Sequence, residues 1–151
     1  MKNKTKFSYL SISLIFIVGI TFFSFSKKSD IEKNTIERDI EKYYLVPVFF
    51  SYDTQMMQKG FDESFFFASI KDQKTDKVTL IQFMERVGKR KTNPPKDKWT
   101  YKIQVLDITQ DAASAKILLY KDEKLFFTDY LHLLKENEQW KIIGKVFYHH
   151  K

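Results

Sequence analysis

Two periods divide the chain. Up to about residue 89 the apolar residues recur every three or four positions, and from Trp99 onward they alternate. In the first stretch Ile36, Ile40, Tyr43, Tyr44 and Val48 stand at helical spacing with Glu and Lys between them. That pattern predicts an amphipathic helix from Ser29 to about Tyr52. Asp30 can cap its start. Pro47 should bend or end it near Leu45, because proline lacks the N–H and its ring meets the preceding turn. Asp53 then occupies an N-cap position before a short second helix, Thr54 to Lys59, stopped by Gly60. The run Phe61–Phe67 carries aromatics at 61, 65, 66 and 67 and is assigned to no element. A third helix is predicted over Thr79 to about Lys89, with Leu80, Phe83, Met84 and Val87 on one face and Gly88 near its end.

After the loop KRKTNPPKDK (89–98), four strand-like runs follow: Trp99–Thr109, Ala112–Tyr120, Leu125–Lys135 and Trp140–Tyr148. Polar turns of a few residues separate them, and connections that short require antiparallel neighbours. The chain is therefore read as α+β: helices first, then a long antiparallel sheet with one face against them.

Residues 1–26 read as an address. MKNKTK is basic, Phe7 to Phe25 carries no charge, and Lys27 and Lys28 close the run. Ser24 and Ser26 flank Phe25 as a cleavage site requires, which predicts a signal peptide cut after Ser26. The alternative is a retained membrane anchor, since the run is just long enough to span, although its hydroxyl residues and the two trailing lysines weaken that. Either way residues 27–151 form one domain outside the cytoplasm, periplasmic or anchored facing outward.

Composition narrows the chemistry. Aromatics make up 17% of the 151 residues, with 15 Phe and eight Tyr, enough to build a packed core. The formal charge is +7. Loss of residues 1–26 removes Lys2, Lys4 and Lys6 and no acid, leaving +4, which calls for no nucleic acid. There is no cysteine, so disulfides, thiolate metal sites and thiol nucleophiles are excluded. No phosphate-cradling glycine loop, zinc-protease motif or nucleophile elbow is present.

Three strings then carry a family resemblance over residues 32–148: YDTQMMQKGFDESFFFAS (52–69), VLDITQDAASAKILLY (105–120) and FFTDYLHLLKENEQWKIIGKVF (126–147). In this order they resemble bacterial proteins of the nuclear transport factor 2-like superfamily, in its branch labelled putative lumazine-binding or SnoaL-like. The resemblance implies a cone: a curved antiparallel sheet packed on three N-terminal helices, with an apolar pocket at the wide end and dimerisation through the sheet in many members. Members include ketosteroid isomerase and scytalone dehydratase beside plain binding modules, so the fold names no function. One departure stands out. Relatives often carry His-Pro after the phenylalanine that follows the second helix, whereas Phe61 here precedes Asp62 and Glu63, and no role of that histidine carries over.

The candidate pocket residues are Tyr43, Phe50, Phe66, Phe83 and Asp129. Asp129 lies mid-strand among apolar residues, where burial would raise its pKa and suit it to general-base work. Lys141 and Lys145 alternate with Ile143 and Phe147 on the last strand, and Lys145 can pair with Asp129 on the adjacent one. His132 falls on the opposite face from Asp129 by the period of two, which argues against an Asp–His dyad. His149 and His150 point apart on a strand and lack a third ligand, so no metal and no cofactor are expected. The sequence thus favours a non-catalytic module that holds a small apolar or aromatic ligand. The alternatives are an acid–base isomerase or dehydratase using Asp129, and a homodimeric interaction domain. Nucleic acid is not an expected partner, and the membrane is one only through an uncleaved N-terminal segment.

Overall fold

The computed structural model describes residues 29–92, 94 and 96–150. The expected leader or anchor, 1–26, lies outside them. The chain divides into two compact units, Met1–Asn34 and Thr35–Lys151. In the first, residues 29–34 are helical. Among the described residues no helix is long and apolar enough to cross a membrane.

The second unit opens with α1, which is α-helical over 35–40, widens to a π turn at Glu41–Leu45 and returns to α at Val46–Phe49. Pro47 does not end the helix near Leu45, and the reason is that turn. The Val46 amide donates to the Glu41 carbonyl five residues back, and the extra residue accommodates the proline ring just beyond it. Asp53 starts α2 (Thr54–Gly60) by accepting from the amides of Gln55 and Met56 at 3.0 and 3.1 Å. A hairpin follows, of β1 (Phe61–Lys71) and β2 (Lys74–Thr79), so the aromatic run that fitted no element is a strand. Then comes α3 (Leu80–Lys91), held at its start by a reciprocal bond pair between Thr79 and Gln82.

The four predicted strands are β3 (Trp99–Thr109), β4 (Ala112–Lys121), β5 (Lys124–Glu136) and β6 (Gln139–His149). The fold is α+β, a curved six-stranded open sheet packed on the helices, in the order β2-β1-β6-β5-β4-β3. Four neighbouring pairs are antiparallel, and β1 runs parallel to β6. Register jumps mark one-residue bulges at Leu106, Phe126 and Ile143, which bend and twist the strands that carry them.

The core lies between the helices and the inner sheet face. Trp140, Tyr44, Phe65, Ile117 and Leu131 are all at most 1% exposed. Phe61 meets Tyr44, Phe65 and Phe83 edge-on, with ring centroids 6.0, 4.7 and 6.2 Å apart. Each such ring is worth about 1.5–3 kcal/mol by burial alone, and edge contacts add about 0.5–1.5 kcal/mol. The end of α2 presses on α1 so closely that a Cβ on Gly60 would stand 2.1 Å from that of Tyr43.

Candidate functional site

Period two on β5 turns Asp129, Leu131 and Leu133 inward and leaves Tyr130 and His132 exposed outside. On β6 the same period places Trp140 and Ile142 inside. The bulge at Ile143 then breaks the alternation, because His132 pairs with Gly144 while Leu133 pairs with Ile142. Beyond the bulge Lys145 faces inward beside Leu131. Lys141, one face away, donates instead to the Lys59 carbonyl at the end of α2. A single inserted residue thus brings a lysine into the core next to a carboxylate.

Tyr44 of α1 completes the cluster. Its hydroxyl donates to Asp129 Oδ2, and the Lys145 ammonium donates to the Tyr44 oxygen at 2.9 Å and to Asp129 Oδ2 at 3.3 Å. Asp129 is fully buried and Lys145 is 8% exposed. Asp129 Oδ1 accepts no hydrogen bond among the described residues. Burial pushes the Tyr44 phenol well above its ordinary value, and the Asp129 charge beside it pushes the same way. For Lys145 burial acts downward and outweighs the upward pull of Asp129. Four aromatic rings surround the ammonium: those of Phe147, Tyr44, Phe67 and Phe83 lie 4.7, 5.2, 5.2 and 5.6 Å from Lys145 Nζ. Cation–π attraction offsets part of its lost hydration.

Lys145 lines a chamber of about 200 Å³. Phe49, Phe67, Phe83, Phe127 and Phe147 wall it, and α3 contributes Arg86 and Arg90, one helical turn apart. The Arg86 guanidinium lies 5.8 Å from the centre of the Phe67 ring. Asp76 on β2 is the one acid in the lining. A larger hollow of about 710 Å³ runs between α2 and α3, past Glu63, Glu85 and Ile81. Ile81 there is 71% exposed, and among the described residues no buried charged group faces that hollow.

Of the sequence candidates, Phe83 lines the chamber. Asp129 sits behind Lys145 and reaches neither hollow. Tyr43 is half-buried against Gly60, with the Lys42 ammonium 4.9 Å from its ring. Phe50 and Phe66 are exposed, the first edge-on to Tyr101 and the second under the Lys77 ammonium. His150 Nε2 stands 2.9 Å from Thr128 Oγ1. Sequence reasoning missed Arg86 and Arg90. Their spacing of three and seven residues from Phe83 would have placed them on the flank of the buried helix face.

The family described as putative lumazine-binding matches residues 32–148. A comparison with curated proteins returns no match. Among solved structures, the chain is similar to an NTF2-like protein of unknown function from Silicibacter pomeroyi, at 15% identity and a TM-score of 0.64 over 81% of this chain and 98% of that one. A second NTF2-like protein of unknown function, from Shewanella baltica, is 22% identical, with a TM-score of 0.63 over 80% and 94%. An uncharacterised protein with a cystatin-like fold from Caulobacter vibrioides gives 11% and 0.61 over 79% and 89%. At these identities the likeness establishes the fold.

Proposed function

Because the chain belongs to the putative lumazine-binding family, we propose that it is an exported, non-catalytic module that holds one small flat ring system in the chamber between α1, α3 and the sheet. The observation that carries this reading is the chamber itself. Five phenylalanines and a buried lysine converge on a volume suited to a one- or two-ring molecule, without a convergent set of catalytic groups around it. The acid–base alternative needs Asp129 open to that space, and a carboxylate bound to both Lys145 and Tyr44 does not meet the requirement. The test is to purify the untagged chain, look for a retained small molecule by native mass spectrometry, and follow the melting temperature against a panel of flat ring compounds that includes lumazine. No retained ligand and no shift with any member would overturn the reading. Export is tested in the same material, since a mature chain beginning at Lys27 is expected.

A second reading concerns the outer sheet face, where Tyr130, Val146, Tyr148 and Phe66 are 39–61% exposed. Val146 pairs with Tyr130 on one side and Ala68 on the other, so these side chains form a continuous surface. A second copy of the chain would cover it. Light scattering should then give twice the monomer mass, and a monomer at working concentration would remove this reading.

A further inference from the structure

Building on the small-molecule reading above, we infer that the guest is an aromatic carboxylic acid whose ring lies among the phenylalanines and whose carboxylate meets the cations of the chamber. The charge distribution points this way. Three cationic side chains line the space, Lys145, Arg86 and Arg90, against the single acid Asp76. Asp129 answers only one of the three charges, through its bond to Lys145. Among the described residues neither guanidinium forms an ion pair, and both are exposed enough to reorient toward a guest.

The donors are also of the right kind. A guanidinium presents a planar fork that matches a carboxylate with two parallel hydrogen bonds. An ammonium has three donors, and the bonds from Lys145 to Tyr44 and Asp129 use two of them. The third is available to a guest. Arg90 is also close enough for its charge to oppose protonation of Lys145, so at least these two cations act on the same part of the chamber. Beside the phenylalanine walls the lining offers one neutral polar group, the Ser69 hydroxyl, against three cationic donors. The site therefore separates an acid from its amide by charge, and accepts the ring by shape.

The experiment is a matched pair of probes, 2-naphthoate and 2-naphthamide, titrated calorimetrically into the full chain at neutral pH and low salt. The acid should bind about tenfold or more tightly, as expected for one to two charge-assisted contacts. Its affinity should fall as salt is raised. The double variant Arg86→Gln, Arg90→Gln should lose most of the preference while keeping the melting temperature, because both side chains are exposed. Equal affinity for acid and amide, or a preference untouched in the double variant, would overturn the inference and leave the small-molecule reading in place. Binding of neither probe, together with no shift across the wider ring panel, would overturn both.

Discussion

Lys145 Nζ stands 3.3 Å from Asp129 Oδ2 with both side chains inside the core, and the Tyr44 hydroxyl touches each of them. Removing one member leaves the opposite charge buried and unanswered, which costs about 3–5 kcal/mol. Asp129→Asn and Lys145→Met should each lower the unfolding free energy, read from urea denaturation, by that order. The triple variant Asp129→Leu, Lys145→Met, Tyr44→Phe removes every polar group of the cluster at similar volume and should recover most of the loss. Failure of the triple variant to recover would mean the cluster holds the surrounding backbone as well as itself.

Two phenols give the protein an alkaline limit. Tyr101 bonds Glu41, and burial together with that carboxylate pushes its pKa from 10.0 up to about 12. Tyr44 is also raised well above its ordinary value, by burial and by Asp129. A folded-state pKa above the unfolded one means the fold prefers the protonated phenol. That stability is complete below pH 10 and is lost as pH rises towards about 12. Denaturation midpoints should therefore fall across this window, and Tyr101→Phe should flatten the fall. The ultraviolet absorbance of phenolate should show Tyr101 titrating later than the exposed tyrosines.

Gly60 tests the seating of α2 on α1. Its φ is not in the left-handed region, so Gly60→Ala introduces only the steric conflict with Tyr43. A loss of about 1–3 kcal/mol is expected. Tyr43→Ala should not relieve it, because the nearest atom is the Cβ that alanine keeps. Tyr43→Gly should.

The hairpin turns offer a gain. Asp122 and Glu123 both take positive φ, 48° and 68°, with no glycine between β4 and β5. A turn of this kind favours Asp-Gly. Glu123→Gly should raise stability by about 0.5–1 kcal/mol, since relief of left-handed strain outweighs the added freedom of the unfolded chain. A lower melting temperature would contradict it.

Much of this architecture was legible in the residues. Strong alternation and short polar turns placed the four long strands almost to the residue, and Asp53 and Gly60 bounded α2. The β1–β2 hairpin was not legible. The polar stretch Asp62–Ser64 interrupts its alternation, the register with β6 shifts between Phe61 and Phe66, and Asp72–Gln73 makes a positive-φ turn without glycine. The ion pair of Asp129 with Lys145 followed from strand adjacency, but the device that permits it did not. Nothing in KIIGKVF announces a bulge at Ile143, because that register is set by the partner strand. Arg86 and Arg90 went unnoticed for a similar reason: exposed arginines on an amphipathic helix look like solvated charge until the sheet curves round to meet them.

The position of β6 governs when the protein can assemble. It is the last of the described strands in chain order, yet it lies in the middle of the sheet, joining β1 to β5. A nascent chain that has not yet emerged past Gln139 holds a hairpin and a three-stranded meander with no shared edge. Tyr44 then has no lysine to meet, and the inner faces of both pieces stay wet. The sheet therefore closes only when the eleven-residue strand β6 slots between two waiting edges and joins sequence-distant halves at once. Until then the open edges of β1 and β5 are the surfaces that a chaperone must guard.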